Sequence, residues 1–77
     1  SSDISISQTN ITNGIKFTAP EGFVSYRWSV NSVNTGNEQE YILNTKDLIS
    51  GNYEIFLIAK DEKNNYRSAT IYVQVEN

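Results

Sequence analysis

The chain has 77 residues, nine acidic and six basic side chains for a net charge of −3, and neither Cys nor His. A length of this order makes one domain that buries only about 60% of the surface its unfolded chain exposes. No disulfide or thiolate zinc site supplements that core, and no imidazole serves a metal or acts as a base near neutral pH. A net charge of −3 with six scattered cations argues against a nucleic-acid footprint. The longest apolar run, Ile55 to Ala59, is far below the roughly 20 residues that cross a bilayer, which argues against direct membrane insertion.

Apolar residues recur at every second position, which is the period of strands. Ile4 and Ile6 open the pattern and Ile15 and Phe17 continue it, giving two strands joined by a polar Gln8 to Gly14 connection that closes on an Asn-Gly turn signal. Ala19-Pro20-Glu21-Gly22 ends the run, since Pro cannot donate to a ladder and Gly supplies unusual dihedrals. A third strand is expected with Val24, Tyr26, Trp28 and Val30 inward and Ser25, Arg27 and Ser29 outward. Asn31 to Gln39 reads as the longest loop, with room for a short edge strand. Tyr41 and Leu43 are the inward pair of a fourth strand, which ends in the turn Asn44 to Asp47.

Leu48-x-x-Gly51-x-Tyr53 then has the spacing of a tyrosine corner, in which a Tyr near the start of a strand returns its hydroxyl to backbone just upstream. From Tyr53 to Lys60 the inward set is Tyr53, Ile55, Leu57 and Ala59. A polar hairpin at Asp61 to Asn65 leads into the last strand, Tyr66 to Glu76, with Ala69, Ile71, Val73 and Val75 inward. Short strands with turn signals about every ten residues predict an all-β fold: an immunoglobulin-like sandwich of about seven antiparallel strands in two sheets, of Greek-key type. Its expected structural core includes Tyr26, Trp28, Leu48, Gly51, Tyr53, Ile55, Leu57, Ile71 and Val73. Residues 1–77 are expected to form one such domain, excised from a longer multidomain protein that carries its targeting signals elsewhere.

Tyr26-x-Trp28, then Leu48-x-x-Gly51-x-Tyr53-x-Ile55-x-Leu57-x-Ala59-x-Asp61, then Ile71-x-Val73-x-Val75 resembles the PKD-like and related bacterial immunoglobulin-like repeats over about fifty residues. The PKD pattern follows its Trp with an Asp-Phe-Gly-Asp-Gly run, where this chain has Ser29-Val30-Asn31-Ser32-Val33. The resemblance implies a repeated module of secreted or surface-anchored bacterial proteins, serving as a spacer, an adhesive unit or an appendage to a hydrolase, and not itself the catalyst.

Few residues invite a chemical role. Asp61, Glu62, Asn64 and Asn65 offer oxygens suited to calcium, but turns favour Asp and Asn for local backbone bonding and left-handed dihedrals, and Lys63 sits among them. Glu38 and Glu40 have the spacing of a carboxylate pair, with nothing else in support. Trp28, in the inward phase, is expected in the core and not as a sugar platform. No catalytic residue, metal site or cofactor is expected. Asn10-Ile11-Thr12 is a glycosylation sequon that counts only in a eukaryotic secretory pathway; ten Asn and no Cys fit an extracellular or cell-surface bacterial setting.

On the face opposite the core, Glu54, Phe56, Ile58 and Lys60 point outward, so Phe56 and Ile58 are expected in water. Together with Tyr72 and Arg27 on the adjoining strands they make a candidate binding patch of residue types enriched in interface hot spots. Three functions remain open: a structural spacer with termini at opposite ends, an adhesive or carbohydrate-binding module using this outward face or the Asn31 to Gln39 loop, and an accessory domain that contacts a catalytic neighbour. The partners expected are neighbouring domains of the same chain or a protein or glycan ligand, without nucleic acid.

Overall fold

The computed structural model describes residues 4–77. Seven strands, β1 Ser7–Ile11, β2 Gly14–Thr18, β3 Ser25–Val30, β4 Val33–Gly36, β5 Glu40–Asn44, β6 Gly51–Lys60 and β7 Tyr66–Val75, are accompanied by one 3-10 turn at Thr45–Asp47. They form two antiparallel sheets, ordered β1-β2-β5 and β4-β3-β6-β7, and pack as the β-sandwich that the alternation predicts.

The two layers meet over a core to which Phe17 and Leu43 contribute from the three-stranded sheet and Trp28, Ile55, Leu57 and Val73 from the four-stranded one. Tyr26, Leu48, Tyr53 and Ile71 are half-buried and pack against it. Trp28 lies at its centre with no exposed surface, its ring 6.2 Å from that of Phe17 and 6.1 Å from that of Tyr41. Its indole N–H donates to the carbonyl of Glu38 at 2.7 Å, so burial of this large ring leaves no polar group unpaired.

Turn chemistry sets the connections. β1 and β2 are joined through Thr12 and Asn13, with Asn13 at φ 62°. At Gly14 a Cβ would sit 2.6 Å from the Leu43 carbonyl oxygen, and only glycine permits the close approach of β2 to β5 there. The two-residue link between β3 and β4 places both Asn31 and Ser32 at positive φ, 48° and 70°, the requirement of a type I′ hairpin. Asn31 docks this turn on β6, donating its N–H to Glu54 O and accepting the Glu54 N–H on its side chain, each at 2.9 Å. At the crossing from one sheet to the other, the Tyr53 hydroxyl donates to Ile49 O at 2.6 Å, which is the corner bond that the Leu-x-x-Gly-x-Tyr spacing predicts.

Four sequence expectations are corrected. The first strand is not the Ile4 and Ile6 segment: those residues precede β1 and pack on the core, while the polar stretch expected as a connection forms β1, exposed at every position. Val24 precedes β3 and is 62% exposed, because it lies beyond Ser25 and Lys60, the last pair of the β3-β6 ladder. Gly51 is exposed and not in the core; its φ of 153° makes it a backbone requirement of the corner. Phe56 and Ile58 are half-buried and not in open water, since a central strand is shielded from both sides.

The chain enters and leaves at opposite ends. Ser7 pairs with Thr18 at one end of the β1-β2 ladder, whereas Asn77 lies beside Ile11 and Asn13 at the other. There the Asn77 side chain donates to the carbonyls of Thr45 and Leu48, and its backbone N–H to Ser50 Oγ. The longest dimension of the molecule is 42 Å.

Candidate interaction surface

The outer face of the four-stranded sheet is built from residues that alternate with the core positions. Its rows follow from the register. Ser25, Lys60 and Tyr66 lie side by side, then Arg27, Ile58 and Ser68, then Ser29, Phe56 and Thr70, then Glu54 and Tyr72. The four residues singled out from sequence share this face. Arg27 is directly opposite Ile58, Phe56 follows two residues along the same side of β6, and Tyr72 is diagonal to Phe56 on β7, within the reach of large side chains.

Continuity does not make the patch uniformly apolar. Phe56 is walled by Ser29 and Thr70. Ser29, though on the outer face, is only 8% exposed and donates to Asn34 Oδ1 at 3.1 Å, where the pairing with β4 shifts register. Tyr72 is 70% exposed, its hydroxyl donating to Glu54 Oε2 at 3.3 Å. The more recessed part of the face lies toward the other end of the strands. There Ser25, Arg27, Ile58, Lys60 and Tyr66, with Asn37 from the β4-β5 connection, surround an open depression of about 340 Å³. Tyr66, although it has the outward phase of Tyr72, escapes the sequence argument; Asn37 belongs to the Asn31 to Gln39 loop named from sequence as a contact element, but no periodicity places that loop beside this face.

Among the described residues the ion pair present is Lys16 with Glu40, at 3.7 Å; neither Arg27 nor Lys60 has a carboxylate partner. Glu38 precedes β5 and offers its backbone oxygen to Trp28, and the Glu40 carboxylate is the one that faces Lys16. Asp61 spends its carboxylate on its own turn. Oδ1 accepts the N–H groups of Lys63 and Asn65, each at 2.9 Å, and Oδ2 accepts from the Asn65 side chain. The Asn65 backbone N–H, more than the other donors and the nearby Arg67 charge, holds the Asp61 carboxyl below its ordinary range against a partial cost of desolvation. Asn64 takes the left-handed φ of 66° that closes this hairpin. Turn formation accounts for Asp61, Asn64 and Asn65. Asn10 of the sequon is exposed on β1.

No family model matches the chain, and no curated protein matches it. Among solved structures it is similar to the Clostridium perfringens spore cortex lytic enzyme SleM, with a TM-score of 0.61 at 12% identity. The likeness covers 96% of this chain and 27% of that one, so the chain spans about a quarter of the length of its structural neighbour. At that identity what is shared is the β-rich fold. The outer face combines a cation pair, exposed tyrosines and neutral hydrogen-bonding groups, an arrangement suited to non-covalent contact.

Proposed function

We propose that the chain is a non-catalytic spacer and contact module of a bacterial surface or secreted protein, holding neighbouring domains apart along one axis. The observation that carries this is the placement of entry and exit at opposite ends of the β1-β2 ladder, with the exit tied to the sheet-crossing corner through Asn77. A module so connected extends a chain instead of folding it back. The likeness to part of a spore cortex lytic enzyme supports a role as one unit of a larger cell-surface or cell-wall protein, although fold alone does not assign function.

Small-angle X-ray scattering on two copies joined head to tail tests the spacer role. The expected particle is elongated, with a maximum dimension roughly twice the 42 Å of one copy. A compact particle with the copies side by side would overturn the proposal.

A further inference from the structure

We infer that the depression around Arg27, Lys60 and Tyr66 is a binding site for a carboxylate-bearing saccharide. This goes beyond the spacer role, which stands or falls separately. Arg27 and Lys60 are diagonal neighbours on one face, Arg27 being opposite Ile58 and Lys60 opposite Ser25, so two positive side chains come within reach of each other. No carboxylate among the described residues forms an ion pair with either. Glu40 is engaged by Lys16, Glu54 by Tyr72 and Asp61 by its own turn, and Glu38 and Glu62, the neighbouring acidic residues in sequence, are not among the residues that line the depression. In a chain of net charge −3, two adjacent unneutralised cations on a recessed surface complement an anion. The guanidinium fork also matches the planar geometry of a carboxylate.

The rest of the lining selects the remainder of the ligand. Tyr66 is 64% exposed at the rim and offers a flat apolar ring with a polar tip, while Ile58 lies between it and Arg27 on the central strand. Asn37 and Ser25 add an amide and a hydroxyl, which both donate and accept and so pair with sugar hydroxyls. About 340 Å³ is at the lower end of the range for small-ligand sites, enough for one or two sugar rings. A peptide strand would instead seek the free backbone groups of a sheet edge. Two cations are also too few to follow a polyphosphate backbone, whose affinity grows with each phosphate neutralised.

Heteronuclear NMR of the labelled 77-residue chain tests this with four probes: trigalacturonic acid, N-acetylmuramic acid, the carboxyl-reduced form of the trisaccharide, and triglutamate. Saturable shifts confined to the neighbourhood of Ser25, Arg27, Lys60 and Tyr66 are expected with at least one of the two acidic sugars. Affinity should fall at least tenfold for the reduced sugar and for triglutamate. Arg27→Gln and Tyr66→Ala should each weaken binding of the acidic sugar at least fivefold with an otherwise unchanged spectrum, while Tyr72→Ala leaves it intact. Absence of saturable shifts with both acidic sugars would overturn the proposal. So would equal binding of the reduced sugar, which removes the carboxylate from recognition, or equal binding of triglutamate, which removes the sugar.

Discussion

Trp28 shows how much one residue carries in a sandwich this small. It fills the space between Phe17 and Tyr41, has no exposed surface, and satisfies its only donor on Glu38. Truncation to Ala removes more buried surface than the thin layers can close over, and Trp28→Ala should cost about 3–5 kcal/mol in urea unfolding, enough to abolish folding in a domain of this size. Asp61 acts at the other extreme of exposure. Because its carboxyl titrates below the ordinary range in the folded chain, its stabilising contribution is complete above the unfolded-state value and is lost as pH falls through the folded one. Acid titration of stability should therefore show a loss at the low end of the carboxylate range, and Asp61→Asn should flatten that limb of the curve; an unchanged acid limb in the variant would assign the loss to other carboxyls.

At the scale of elements, the hydroxyl of Tyr53 closes the crossing between sheets through Ile49, and Tyr53→Phe removes that bond while keeping the ring. A loss of about 0.5–1.5 kcal/mol is expected, read as a lower urea midpoint with an unchanged slope. The corner was legible because its residues are fixed by local spacing, and β2, β5, β6 and β7 because one face of each is buried and their sequences alternate accordingly. β1 was not. Its Ser-Gln-Thr-Asn-Ile sequence is exposed throughout, so it has no inward face to signal and becomes a strand through its ladder with β2. The same limit hid the half-burial of Phe56. Period tells which way a side chain points, whereas its shielding by Ser29 and Thr70 depends on the order of strands in the sheet. In the candidate site, Arg27 and Ile58 followed from phase alone, but their meeting with Lys60, Tyr66 and Asn37 required three strands and a loop to converge.

For the whole molecule, one core of described residues spans both sheets, and the chain should unfold in a single step. Trp28 fluorescence, which reports the centre of the core, and far-ultraviolet circular dichroism, which reports the ladders, should give coincident urea transitions; separated midpoints would mean that the sheets come apart in turn. The opposed positions of Ser7 and Asn77 have a further mechanical consequence. A pull applied through the two ends runs along the strands, so the ladder bonds between β1 and β2 and between β6 and β7 lie across the force and resist together, in shear, instead of opening one after another like a zipper. The ten-residue β6-β7 ladder then bears tension at the exit side and the shorter β1-β2 ladder at the entry side, which makes β1 the strand that yields first under load.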